Sequence, residues 1–180
     1  MPLSPLNTFI LDLPDEAATD RLGQTLALVA ADLQATAAGL APGTQAGGRI
    51  HLQGDLGAGK TSLARAFLRQ CGVSGRIKSP SYALLESYEV SNLYLYHLDF
   101  YRFSNPTDWL DVGFRDLLNN RAIVLIEWPE RAGDYLGHPD LLIHLFYADQ
   151  GRRATLSAYT VKGLRWIDAL PQIGQDSQER

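Results

Sequence analysis

Apolar and polar positions along the 180-residue chain fall into stretches of two different periods. From Asp15 to about Ala38, Leu22, Leu26, Val29 and Leu33 recur at helical intervals, and Asp15, placed after Pro14, suits an N-cap. "RIHLQ" (Arg49 to Gln53) alternates as a short strand does. Helical spacing returns in "TSLARAFLRQCG", where Leu63, Phe67 and Leu68 share a side with Ala64 and Cys71, and Gly72 stands where the helix would stop. "ALLESYEV" and "LYLYHLDFY", separated by "SN", predict an antiparallel hairpin. In its second arm Leu93, Leu95, His97 and Asp99 share one face, while Tyr94, Tyr96, Leu98 and Phe100 take the other.

The remaining segments complete an alternating α/β pattern. "AIVLIEW" is a continuous apolar run, the mark of a parallel strand covered on both faces. "DLLIHLFY" and "ATLSAYTV" predict two further strands joined by the turn "ADQGRR". "NPTDWLDVGFRDLLNN" predicts one or two short helices with Trp109, Phe114, Leu117 and Leu118 buried, and Gly163 to Leu170 a last helix before a frayed tail. "AGLAPGTQAGG" and "GVSGRIKSPSY" carry turn formers and no period, so both are expected as loops. The expectation is one domain over residues 1–180, with helices on both faces of a sheet that is part parallel and part antiparallel.

Between the first predicted strand and the helix after it lies "GDLGAGKT", which fits G-x-x-x-x-G-K-[ST] with Gly54, Gly59, Lys60 and Thr61 at the fixed positions. Glycines let successive N–H groups turn inward around a phosphate, and the helix behind adds its positive dipole end. The lysine supplies a point charge and the threonine a hydroxyl for Mg²⁺. A chain of this length meets the pattern by chance in roughly one case in a hundred. Strand, loop, helix is the context that supports it, and the lysine itself is informative. Of 16 basic residues only Lys60, Lys78 and Lys162 are lysines, so an arginine-rich chain has placed a compact ammonium here.

Hydrolysis needs carboxylates as well as a phosphate cradle. In an open α/β sheet these are expected at the carboxyl ends of strands beside the loop. Glu127 ends "AIVLIE" and Asp99 ends "LYLYHLD". Other roles stand beside these: a cap for Glu127, a salt bridge to Arg102 for Asp99, a hydrogen-bonded core position for His97. Trp128 could stack on a base or simply close the sheet edge. Composition narrows the setting. The single cysteine, Cys71, forms no internal disulfide and lies in a helical apolar pattern, which points to a reducing compartment and a core role. With no basic, cleavable leader pattern and no apolar run near 20 residues, a cytoplasmic protein without membrane contact is expected. A net charge of −4 argues against gripping nucleic acid directly.

In order and spacing, "GDLGAGKT", "VSGRIKSPSYALLESYE", "LYHLDFYR", "DWLDVGFRDLL" and "IEWPER" resemble the TsaE (YjeE) family over about Leu11 to Tyr159. The resemblance implies a P-loop NTPase three-layer α/β sandwich and an ATPase of bacterial tRNA threonylcarbamoyladenosine biosynthesis. It implies partnership with the TsaD–TsaB heterodimer, with tRNA met only through that complex, and ATP and Mg²⁺ as cofactors. Carried over by motif, Lys60, Asp99 and Glu127 are the catalytic residues and Thr61 with Glu127 the Mg²⁺ ligands. Asp55, Leu56, Gly57, Ala58, Gly59, Lys60, Thr61 and Ser62 form the phosphate loop, and Trp128, Glu16 and Gly151 approach the nucleotide. "KSPSYALL" resembles a switch segment. Ser81 replaces the family's usual threonine, Phe100 its leucine, and the connector from Ala38 to Gly48 is longer than typical. Two other functions share a P-loop: a small-molecule kinase, which usually needs an Arg-rich lid not evident here, and a binding module switched by nucleotide occupancy.

Overall fold

The computed structural model describes residues 4–36, 39–105, 108 and 122–175. Its elements run β1 (Asn7–Leu13), α1 (Glu16–Ala30), β2 (Leu33–Thr36), β3 (Gly39–Pro42), β4 (Gly48–Gly54) and α2 (Lys60–Gln70). After these come β5 (Leu85–Val90), β6 (Leu93–Asp99), β7 (Ala122–Glu127), a 3₁₀ segment (Pro129–Leu136), β8 (Leu141–Tyr147), β9 (Arg152–Ala158) and α3 (Val161–Gln175). Seven strands form one sheet in the order β1-β9-β8-β4-β7-β6-β5. The four inner strands β6, β7, β4 and β8 are parallel to one another, β5 is added antiparallel to β6, β9 antiparallel to β8 and β1 antiparallel to β9. This is the mixed α/β sheet that the sequence pattern predicts.

Two cores lie on the two faces of that sheet. On one, α1, α2 and α3 press Leu26, Phe67 and Trp166 onto Ile50, Leu52, Leu125 and Ile143. On the other, Ala132 and Leu136 of the 3₁₀ segment pack with Leu98, Phe100, Val124 and Ile126. All six residues of β7 are buried, which is why its sequence is an unbroken apolar run ending in a glutamate. The "SN" turn holds Ser91 and Asn92 at φ 48° and 67°, the paired positive angles of a type I′ hairpin.

The structure corrects several boundaries. Helix α1 stops at Ala30, because Asp32 adopts φ 47° and turns the chain into the β2–β3 hairpin where the sequence suggested helix and then loop. Leu33 still packs on the core from the strand, so its position imitates one more helical turn. Helix α3 starts at Val161 and runs on to Gln175, beyond Leu170. Its start is set by Thr160, whose Oγ1 accepts from Gly163 N (3.2 Å) and donates to Asp140 (2.6 Å). A Cβ on Gly163 would stand 1.9 Å from the Asp140 carbonyl, so this helix can reach its place only with a glycine there. Strand β1 was not among the predicted elements. Its outward face carries Ile10, 60% exposed, between Thr8 and Asp12, which blurs the alternation. The helices expected over "NPTDWLDVGFRDLLNN" lie outside the described residues, apart from short pieces at their start.

Candidate nucleotide site

The loop Gly54–Gly59 leaves the carboxyl end of β4, at the middle of the sheet, and leads straight into α2. Gly57 and Gly59 adopt φ 80° and 108°, angles a side-chain-bearing residue rarely takes. A Cβ on Gly54 would lie 2.4 Å from the Leu145 carbonyl, so the loop is seated tightly on β8. Lys60, in the first turn of α2, is 4% exposed, and its Nζ donates to the carbonyls of Gly54 (2.5 Å) and Asp55 (2.8 Å). The ammonium also stands 3.9 Å from the ring centre of Trp128. Burial pulls the lysine below its ordinary pKa, against the opposing pull of Glu127, Glu130, Asp99 and Asp55.

Strand register brings in the carboxylates. Asp99 and Glu127 are direct partners across β6 and β7, and Leu52 pairs with Glu127, so all three strands end at one level beside the loop. Thr61 Oγ1 donates to Glu127 Oε2 (2.9 Å) and His97 Nε2 meets Glu127 Oε1 (2.8 Å). Both oxygens are therefore occupied and Glu127 is not a helix cap. His97 is fully buried, the hydrogen-bonded core position weighed for it, and its Nδ1 has no partner. Its proton is then best placed on Nε2, donating to the carboxylate. Asp99 accepts from Tyr101 N (2.8 Å) and from the Ser79 hydroxyl. Arg102 does not pair with Asp99; its guanidinium lies over the Tyr82 ring at 3.9 Å.

These groups surround a cavity of about 350 Å³. Of the residues expected at the site, Leu56, Gly57, Gly59, Lys60, Thr61, Ser62, Asp99, Glu127 and Trp128 line it. Trp128 does more than close a sheet edge. It holds φ 59° directly before Pro129, a conformation that costs a bulky residue on the order of 1–3 kcal/mol and is typical of functional positions. Four expected residues do not line the cavity. Asp55 contributes its carbonyl to Lys60, Ala58 is fully buried, Glu16 is exposed on the first turn of α1, and Gly151 (φ 72°) packs against Leu13 and Pro14. Gly151's neighbour Arg152 is the one that reaches the loop, donating to Gly57 O at 3.1 Å. Arg152, Ser79 and Tyr101 line the cavity without having been picked out as site residues. Ser79 and Tyr101 lie in "KSPSYALL" and "LYHLDFYR", segments that carry the family resemblance, whereas nothing local in the sequence marks Arg152.

The donor set fits a hard cation. Thr61 and Glu127 offer adjacent oxygens, as Mg²⁺ requires, and among the described residues no three-residue His, Cys, Asp or Glu cluster offers a complete metal cage. The other ligands would have to be phosphate and water oxygens, the usual Mg²⁺ arrangement at nucleotides. Strand, glycine loop, helix-borne lysine and hydroxyl, and two carboxylates on neighbouring strand ends define the class: a P-loop nucleotide-binding fold.

The comparisons with known proteins agree. The family model "Threonylcarbamoyl adenosine biosynthesis protein TsaE" matches residues 13–155. The chain is 36% identical over 157 residues to the tRNA threonylcarbamoyladenosine biosynthesis protein TsaE of Haemophilus influenzae, covering 87% of this chain and 94% of that one. It is 38% identical over 133 residues to the protein of the same name in Synechocystis, covering 69% and 73%. Among solved structures, Bacillus subtilis YdiB superposes with a TM-score of 0.67 over 93% of this chain and 95% of that one, at 20% identity, a likeness of fold. The chain belongs to the TsaE family, whose proteins take part in tRNA threonylcarbamoyladenosine biosynthesis.

Proposed function

We propose that this chain is a Mg²⁺-dependent ATPase that binds the TsaD–TsaB heterodimer and, by hydrolysing ATP, permits repeated rounds of threonylcarbamoyl transfer to adenosine in tRNA. The observation that carries the reading is the convergence of Lys60, Thr61, Asp99 and Glu127 on one cavity at the carboxyl ends of parallel strands. The loop amides and the α2 terminus cradle phosphate, and Lys60 neutralises it. Thr61 and Glu127 hold Mg²⁺, which supplies charge neutralisation on the phosphate oxygens when bound. Asp99, fixed by Ser79 and the Tyr101 amide, is the carboxylate left to orient water. A net charge of −4 supports contact with tRNA through the complex rather than directly. No described helix is long and apolar enough to cross a membrane.

Phosphate release from ATP, measured for the chain alone and with the heterodimer added, tests the reading. Slow release that rises sharply on mixing is the expected result. Lys60→Ala should lower the stimulated rate by on the order of 10²–10³-fold, the loss typical when a preorganised charge-stabilising group is removed. No complex formation and no stimulation would leave a nucleotide-binding fold without this role.

A further inference from the structure

A second cavity, of about 700 Å³, opens between the 3₁₀ segment and strands β4 and β8. His51 lies on its floor. Its neighbours Ile50 and Leu52 point into the helix-side core, so the imidazole turns to the other face of the sheet. The ring is 4% exposed and its Nε2 has no hydrogen-bond partner, an unusual state for a buried polar atom. Burial, with Arg49 and His138 nearby, lowers its pKa to about 3, so it is neutral at pH 7. The nucleotide site uses none of this.

The walls have a definite chemistry. Glu130 and Asp134 stand exposed on the 3₁₀ segment, and His138 stacks on Tyr159 with ring centres 5.8 Å apart and planes 13° from parallel. Among the described residues no lysine or arginine lines the cavity; Arg49 instead reaches the Leu136 carbonyl. Two carboxylates against the one neighbouring guanidinium of Arg49 leave the walls net negative, which disfavours an anion, and an apolar group would leave the buried His51 nitrogen unmatched. A compact ammonium would answer the charge but not the flat ring wall. A guanidinium answers both, since its fork pairs with carboxylates and its faces stack on aromatic rings. A free amino acid would bring its own carboxylate against Glu130 and Asp134, which favours a side chain carried by a polypeptide.

We infer that this cavity receives an arginine side chain presented by a protein partner, its guanidinium held by Glu130 and Asp134 against the His138–Tyr159 pair. The 3₁₀ segment links the two cavities: Trp128, immediately before it, covers Lys60, and Glu130, its second residue, opens on the arginine site. That the arginine belongs to the TsaD–TsaB heterodimer rests on the proposed function; the preference for guanidinium does not.

The test titrates the full chain with N-acetyl-arginine amide and with its uncharged isostere N-acetyl-citrulline amide, following the His138 and Tyr159 ring signals by NMR. Saturable shifts with the arginine compound, about tenfold weaker with citrulline and about tenfold weaker in Asp134→Lys, are expected. His138→Ala should weaken binding in the same direction by removing the stacking face. Equal response to both compounds, or no saturation, overturns the inference. Asp134→Lys should also weaken association with the heterodimer by about tenfold while phosphate release by the chain alone is unchanged. Undiminished association would overturn the assignment to a protein partner. If the wild-type chain failed to bind the heterodimer, the proposed function would fall while the arginine-amide titration still decided the site.

Discussion

Trp128 lines the nucleotide cavity and the eight-residue 3₁₀ segment that follows it lines the larger one, and the two cavities hold their carboxylates in opposite ways. In the nucleotide cavity the lysine and both carboxylates are already tied: Lys60 to two carbonyls, Glu127 to Thr61 and His97, Asp99 to Ser79 and the Tyr101 amide, although Arg152 Nε there has no partner. In the larger cavity the buried imidazole of His51 has an unpartnered nitrogen, and the nearby carboxylates Glu130 and Asp134 are exposed. A site built for charge that develops during reaction has to be preorganised, because reorganising dipoles at that moment raises the barrier. A site built to receive a cationic group can leave its acceptors free until the group arrives, so that their pairing favours the bound state. The neighbouring histidines show the contrast most simply. His97 is buried against a carboxylate; His51 is buried against none.

The comparison can be broken first at Glu127. Glu127→Gln removes the charge while keeping the shape, and partner-stimulated phosphate release should fall by on the order of 10²–10³-fold. An unchanged rate would mean that the tied carboxylates are structural only. His97→Leu leaves Glu127 without its buried donor and should cost about 1–3 kcal/mol of stability in urea unfolding. His97→Gln, which keeps a donor, should recover part of that loss and more of the hydrolysis rate; equal damage from both variants would remove the positioning role.

His51 gives a smaller effect that depends on pH. Its folded pKa, about 3, lies below its ordinary value of 6.5, so between those limits the unfolded chain binds a proton that the folded chain does not. Stability is complete above pH 6.5 and falls as the pH drops towards 3. One unit below, at pH 5.5, the loss is about 1.4 kcal/mol. His51→Leu should remove that slope from the urea midpoints; an identical slope in the variant would show that other groups carry it. Smallest is Ser79→Ala, which removes one hydrogen bond to Asp99. It should cost about 1 kcal/mol and slow hydrolysis by a few-fold, without altering nucleotide affinity. A change confined to affinity would place Asp99 on the nucleotide rather than on water.

Much of the site was legible because its parts are local. The phosphate loop is one contiguous stretch whose glycines, lysine and threonine act through spacing alone. Glu127 and Asp99 were legible because each is a carboxylate ending an apolar run, where burial without a purpose would be costly. Ser79 was legible only as part of the segment "KSPSYALL" that resembles a switch, and Arg152 was not legible, since an arginine at the start of a strand looks like ordinary surface. Only the antiparallel placement of β9 against β8 carries Arg152 to Gly57. Helix α1 was overextended for the converse reason: Leu33 has the right spacing for a helix and the right burial, yet a left-handed Asp32 intervenes.

By itself the sequence determined the α/β class, the phosphate loop, the pair of carboxylates and the family resemblance, all of which rest on short-range pattern and residue type. The tertiary structure alone decided that β4 lies between β7 and β8, that Asp99 and Glu127 share one register level, and that His97 and not Arg102 is the neighbour of a site carboxylate. It alone decided that His51 faces a cavity and has a nitrogen without a partner. The reason is that a strand's own residues specify which side chains alternate across it, whereas its neighbours are chosen by how the whole chain buries apolar surface. A polar side chain's partner depends on those neighbours.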